Sequence, residues 1–331
     1  MIADRVCLVD GHDCLLLDLD GTVFRGSLPT PGAVETLATV GARTLFLTNN
    51  ASRSAEEVAK HLCGLGLAVH PGDVVTSAQS AARAISARLP GGSKVLVVGT
   101  EALAAETARV GLQPVRSYSD APVAVLQGHS PHTGWADLAE ATLAIRGGAL
   151  WVATNADVTL PSDRGLVPGN GSMVAALRAA TGVEPEVVGK PAAAMIRDAL
   201  ATGTFHSPLV VGDRLDTDIA GANAAGLPSV VVLTGVSTTA DLLFASDQQR
   251  PTYLAEDLRG LFLPAVSMRI GPQSGWHVQT GDDAVTVTST GGSESLSAVR
   301  AALDAAWRNG VFRVRAGDKQ ARDALRQWGL V

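Results

Sequence analysis

Short apolar runs at 14–18, 43–48, 94–98, 123–127, 149–153, 186–188, 208–212 and 229–233 alternate with helix-forming stretches along this chain. Strands covered on both faces read as continuous apolar segments, and repeated strand–helix units build mostly parallel α/β sheets. The stretch SAEEVAKHLCGLG shows what lies between the runs. Its Ser54 and Glu57 match a capping box, and Gly66 follows the helix end. The expected fold class is therefore α/β.

Composition narrows the class further. A length of 331 residues leaves room for one large or two to three ordinary domains. A net charge of −6 without a Lys/Arg run argues against nucleic acid as the main partner. No apolar stretch reaches the ~18 residues of a membrane span. Asp4 and Asp10 interrupt the segment where a signal peptide needs a clean apolar core. A cytoplasmic protein with no membrane partner is expected. Cys7, Cys14 and Cys63 offer neither a disulfide framework nor CxxC metal spacing, so reduced thiols are expected.

Two composition breaks divide the chain. RLPGGSK (88–94) reads as a linker, and LFLPAVSMRIGPQSGW (261–276) separates the α/β region from a tail. The tail has strands around WHVQTGDDAVTVTS, a helix from about 295 to 308, a strand near 311–315 and a last helix. An α+β unit of ~60 residues is near the lower limit for folding alone.

The first apolar run ends in LLLDLDGTVF, with Asp18 and Asp20 two residues apart. In a strand such residues share a face. At ~4 Å and an effective dielectric of about 20 they would repel by roughly 4 kcal/mol. Either a cation sits between them or one is protonated. Ligands of open α/β sheets bind beyond the carboxyl ends of the strands, and those ends carry further polar groups. They are Thr48, Asn49 and Asn50 in LTNN, Lys190 in GKP, and Asp213, Asp216 and Asp218 in GDRLDTD. Taken singly, each fits a strand-end turn, a surface lysine or a capping loop. Taken together they are what phosphoryl transfer needs: an anionic nucleophile, a metal to cancel repulsion, and donors for the equatorial oxygens.

These four motifs, in this order over residues 12–262, resemble the haloacid dehalogenase superfamily. The resemblance implies a Rossmann-like core, with Asp18 as nucleophile and Asp20 as general acid/base whose carbonyl also binds Mg²⁺. It implies that Thr48 and Lys190 hold the phosphoryl oxygens. It makes Asp213 a metal ligand, with Asp218 orienting the metal or ligating it. Members that only transfer phosphate to drive a conformational change tend to have Thr at the second acidic position, so Asp20 favours a phosphatase. Pro191 is read as the first residue of a helix, which would put the Lys190 ammonium at a helix N-terminus, favourable for an anion.

Thr48 and Lys190 lie 142 positions apart (190 − 48), too far for a structureless loop. The insert has its own strands, while 20–48 has room for one helix. This placement resembles the C2-capped phosphatases of pyridoxal phosphate, phosphoglycolate and nitrophenyl phosphate. The expected division is 1–80 with 186–264 as core, 81–185 as C2 cap and 265–331 as an acetyltransferase-like region. TNADVTLPSDRGLVPGNGSMVAAL (154–177) resembles that group's cap loop. Leu160-Pro161 stands where pyridoxal phosphatases have His and where phosphoglycolate and glycerol-phosphate phosphatases have LP. Asn49, Asn50, Asn155, Asp157 and Leu160 are the expected substrate contacts. Glycerol 3-phosphate leads as substrate, before phosphoglycolate or a sugar phosphate; Co²⁺ or Mn²⁺ could substitute for Mg²⁺. A binding module without catalysis would not need Asp20. A working acetyltransferase would need a clearer coenzyme A loop than the tail shows, so stability or assembly, such as a homodimer, is the tail's expected role. His129 and His132, in GHSPHTG, are read as surface-loop residues in preference to pocket-lining ones.

Overall fold

The apolar runs do become strands, and their neighbours in sequence become the helices that cover them. The computed structural model describes residues 6–162 and 164–331, without the side chains of Pro161 and Ser162, so Asp4 and the Pro161 side chain lie outside the described residues. Chain contacts divide into two units, 1–44 with 205–331, and 45–204.

In the first unit, Cys14–Asp18, Pro208–Gly212, Ser229–Val232 and Tyr253–Ala255 pair in parallel, in the order 253–229–208–14. Leu15, Leu16 and Leu17 are fully buried, as a strand covered on both faces requires. One α-helix, Ala33–Thr39, lies between Asp20 and Thr48, as expected. The tail forms a three-stranded sheet. Trp276–Thr280 runs antiparallel to Val285–Ser289, which runs parallel to Val314–Ala316. Helices Ser295–Asn309 and Lys319–Gln327 cover it. Tail residues Trp276, Val287, Val299 and Leu303 share one continuous apolar cluster with Ile219, Val231, Leu242 and Leu254.

In the second unit, five parallel strands are ordered Glu186–Val187, Leu150–Ala153, Ala124–Gln127, Lys94–Val98, Gln113–Val115. Alternate residues feed two apolar layers. Val95, Val97, Leu126 and Val152 face one way, and Leu96, Val98, Val125 and Trp151 face the other. Strand Arg43–Thr48 pairs in parallel with Val74–Thr76. Helix Ala55–Gly64 begins at the expected Ser54–Glu57 capping box, with bonds of 2.8 and 3.2 Å.

Three differences from expectation have physical causes. The strands 74–76, 113–115 and 253–255 are only three residues long, too short for a legible apolar run. Position 80/81 lies inside helix Ser77–Ser86, which Thr76 and Gln79 cap, so the nearest chain break is the 87–93 loop. Pro191 does not start a helix. The next helix is Ala194–Leu200, and the Lys190–Pro191 peptide is cis. Both backbone groups of Lys190 are bonded to the Asn49 side chain instead of to a helix.

Candidate active site

Strand Cys14–Asp18 stops at its first aspartate because the chain turns there. The Leu19 carbonyl accepts from the amides of Thr22, Val23 and Phe24 at 3.2, 2.8 and 3.1 Å, and Gly21 N–H donates to the Phe24 carbonyl at 2.7 Å. Asp20 therefore sits in a turn and not on the strand, and it is exposed. The expectation that the two carboxylates share one strand face is corrected on this point. Gly21 has φ +91°, a conformation that L side chains rarely adopt, and an added Cβ would lie 2.5 Å from Asp213 Oδ2. Thr234 Oγ1 pins the turn by donating to the Gly21 carbonyl at 2.6 Å.

The carboxylates that do converge are Asp18, Asp213 and Asp218. Each offers an oxygen, and those oxygens lie within 4.8 Å of one another. Asp213 follows strand Pro208–Gly212 and is fully buried; its Oδ2 accepts from Val236 N–H at 2.6 Å. Asp218 is also buried, and its Oδ2 accepts from Arg214 N–H at 3.1 Å. Asp216 turns away into a two-pronged pair with the Arg214 guanidinium, at 3.1 and 2.8 Å. Burial works to raise the Asp216 pKa, but the Arg214 hydrogen bonds and charge outweigh it, and the net shift is downward. A Cβ on Gly235 would occupy the space of the Asp213 carboxylate. At this separation three negative charges repel by roughly 3–4 kcal/mol per pair at an effective dielectric of about 20. An all-oxygen set of this charge, cradled against two glycines, fits a hard divalent cation such as Mg²⁺.

The second unit gathers another set around Asn49. The Asn49 Nδ2 donates to the Lys190 carbonyl at 3.0 Å and to Asp157 Oδ2 at 3.3 Å, and its Oδ1 accepts from Lys190 N–H at 2.9 Å. Asn155 Nδ2 donates to the Asn49 carbonyl at 2.7 Å, and Asn155 Oδ1 accepts from Asp157 N–H at 3.2 Å. Asn170 Nδ2 closes the loop on the Asn155 carbonyl at 2.7 Å. Lys190 is 4% exposed and its Nζ donates to the Leu47 carbonyl at 3.3 Å. Thr48 is buried, its hydroxyl accepting from Asn50 N–H at 3.1 Å. Asn50 caps its own turn, taking Ser52 N–H at 2.9 Å. Asn49 and Asn155 thus hold the loops in position, a role their residue type alone does not reveal. Leu160 is half-buried in a hairpin, Thr159–Ser162 against Gly165–Pro168. The motifs left Gly235, Thr234 and Asn170 unmarked. A glycine just past a strand, in VVLTGVS, was the available signal for the first.

Comparison with known proteins agrees with this geometry. A haloacid dehalogenase-like hydrolase model matches residues 15–113, and a second, HAD-hydrolase-like, model matches 187–261. A GCN5-related N-acetyltransferase-like domain model matches 273–330. The chain is 56% identical over 334 residues to the D-glycerol 3-phosphate phosphatase of Mycobacterium tuberculosis, covering 97% of this chain and 95% of that one. It is 36% identical over 252 residues to an acid sugar phosphatase of Staphylococcus aureus, covering 75% of this chain and 95% of that one. The crystal structure of a glycerol phosphate phosphatase from Mycobacterium tuberculosis in complex with magnesium matches with TM-score 0.97 and 57% identity, over 99% of this chain and 100% of that one. A 4-nitrophenylphosphatase of Thermotoga maritima matches with TM-score 0.72 and 30% identity, over 77% of this chain and 98% of that one. Identity this high across nearly the full length leaves one conclusion: the chain belongs to the haloacid dehalogenase-like hydrolases.

Proposed function

We propose that this hydrolase is a Mg²⁺-dependent phosphomonoesterase that converts glycerol 3-phosphate to glycerol and phosphate. The observation that carries the substrate assignment is the 56% identity to a D-glycerol 3-phosphate phosphatase over both the phosphatase region and the tail. In this reading Asp18 attacks phosphorus and forms an aspartyl phosphate, dividing one difficult displacement into two easier ones. Asp20 protonates the leaving alkoxide and then deprotonates the water that cleaves the phosphoenzyme. Thr48 and the buried Lys190 ammonium bind the phosphoryl oxygens. Asp18, Asp213, Asp218 and the Asp20 carbonyl would hold the metal, which when bound supplies charge neutralisation for the carboxylates and the phosphoryl group; Co²⁺ or Mn²⁺ could substitute. Leu160 and the Asn155–Asp157 loop border the non-phosphate end. The segment up to the 87–93 loop, with 186–264, carries the chemistry, the segment from that loop to 185 selects the substrate, and 265–331 serve stability or homodimer assembly. The enzyme would act in the cytoplasm on glycerol phosphate released from deacylated phospholipid head groups. The likeness to an acid sugar phosphatase makes a sugar phosphate the second candidate.

A phosphate-release assay across glycerol 3-phosphate, phosphoglycolate, sugar phosphates and pyridoxal phosphate tests this. Glycerol 3-phosphate should give the highest kcat/KM, with turnover abolished by EDTA and restored by Mg²⁺. A sugar phosphate preferred tenfold, or full activity in chelator, would overturn the assignment.

A further inference from the structure

The segment Thr234-Gly235-Val236-Ser237 follows strand Ser229–Val232 and lies against the buried aspartate of the acid cluster. Gly235 faces Asp213, where an added Cβ would fall 1.8 Å from Oδ2. Val236 N–H donates to that same oxygen at 2.6 Å, and Ser237 N–H donates to the Asp213 carbonyl at 3.1 Å. Ser237 Oγ accepts from Leu215 N–H at 3.1 Å. Upstream, Leu233 N–H donates to the Ala255 and Glu256 carbonyls at 3.2 and 3.1 Å. Thr234 is therefore fixed on both sides, and its hydroxyl bonds outside its own loop. The 2.6 Å bond goes to the Gly21 carbonyl, 213 residues earlier. A Cβ on Gly21 would lie 3.0 Å from Gly235 Cα, so the two loops touch at this point.

We propose that Thr234 is a positioning residue for Asp20, an inference that rests on the reading of Asp20 as general acid. Gly21 follows Asp20 directly, and glycine has the widest backbone freedom of any residue. The bonds that shape this turn run within residues 19–30. The Leu19 carbonyl accepts from three amides, Gly21 N–H donates to the Phe24 carbonyl, and Thr30 Oγ1 donates to the Thr22 carbonyl at 2.6 Å. They set the form of the turn. The Thr234 bond ties that form to the loop that cradles Asp213. A β-branched side chain is stiff at χ1, so a fixed loop backbone gives a fixed hydroxyl. Asp18 is held in another way, at the end of a strand in register with Pro208–Gly212. Loss of the Thr234 hydroxyl should therefore loosen the proton donor and leave the nucleophile in place. Proton transfer is sensitive to such loosening, because donor and acceptor must meet at hydrogen-bond distance.

The test compares kcat/KM for glycerol 3-phosphate and p-nitrophenyl phosphate at saturating Mg²⁺, since only the first leaving group depends on protonation. Thr234→Val keeps the shape and removes the donor. It should lower the ratio, glycerol 3-phosphate over p-nitrophenyl phosphate, by about tenfold, the contribution of one hydrogen bond. The loss on glycerol 3-phosphate should fall in kcat, with KM within about twofold, because Thr234 makes no contact that binds substrate. Thr234→Ser, which keeps the hydroxyl, should recover at least half of that loss. Both rates are measured on one sample, so the ratio holds even for a variant that folds only in part. Equal losses on the two substrates would make Thr234 structural and overturn the proposal, as would a serine variant no better than valine. Asp20→Asn, assayed alongside, separates this failure from that of the underlying reading. If it leaves the ratio unchanged, the general-acid role fails and the role of Thr234 falls with it. If it lowers the ratio and Thr234→Val does not, the positioning role alone is wrong.

Discussion

At Asp18 and Asp20 the residue types announced chemistry, while the turn at Leu19 decided which of them joins the carboxylate group. Asp18 stays with Asp213 and Asp218, and Asp20 is carried out of that group by three amides converging on one carbonyl. This separation suits different roles. Asp18→Asn should lower turnover by at least ~10³-fold with the fold intact, because it removes a covalent step. Asp20→Asn should be nearly as damaging for glycerol phosphate and much less so for p-nitrophenyl phosphate, whose leaving group needs little protonation. Steady-state kinetics on the two substrates would decide, and equal losses would count against the general-acid role. The aspartates were legible as residues because they recur with Thr48 and Lys190 at the ends of successive apolar runs, a set that singly would fit ordinary turns and together fits phosphoryl transfer. Gly21 and Gly235 were not, since nothing local shows that a distant carboxylate fills the space of their missing Cβ atoms.

Among the elements, strand Pro208–Gly212, which leads into Asp213, is fastened at its start by Asp13. The Asp13 carboxylate accepts from His206 and Ser207 N–H groups at 2.6 and 2.9 Å, and these bonds hold its pKa below the usual aspartate value. A carboxyl group whose pKa is depressed by folding stabilises above its unfolded pKa, and that contribution is lost as pH falls through the folded value. Asp13→Ala should therefore lower Tm at pH 7, and the gap from wild type should shrink as the pH is taken below about 4. Thermal melts at pH 7 and pH 3 would check this, and a constant gap would contradict it. The tail helix Ser295–Asn309 has a similar anchor in Arg300, 2% exposed. Its Nε donates to the Leu254 carbonyl at 3.0 Å, and its guanidinium pairs with Glu294 at 2.8 Å. Arg300→Met would leave a buried carbonyl unpaired and should cost about 1–3 kcal/mol, measured by urea denaturation. An unchanged midpoint would mean the anchor is dispensable.

Across the whole molecule, the tail is a continuation of the phosphatase core. Trp307 Nε1 donates to the Leu242 carbonyl at 3.0 Å, Thr239 Oγ1 donates to the Trp328 carbonyl, and the apolar cluster runs through both regions. Truncation after about residue 265 would expose Leu242, Leu243 and Leu254, so it should lower solubility or Tm while the surviving fraction keeps its substrate preference. A truncated enzyme of full stability and altered preference would show the tail to be part of the active site. The α/β class, most strand positions, the Ser54 capping box, the four motifs and the metal class were determined by the sequence itself. They rest on short-range rules: side-chain period, capping chemistry and the cost of leaving acids at strand ends. Tertiary structure alone decided which acids converge, why Pro191 starts no helix, that Asn49 and Asn155 hold the loops together, and that the tail shares a core. Each of these depends on a contact between residues tens to hundreds of positions apart, and no local pattern records a partner at that distance.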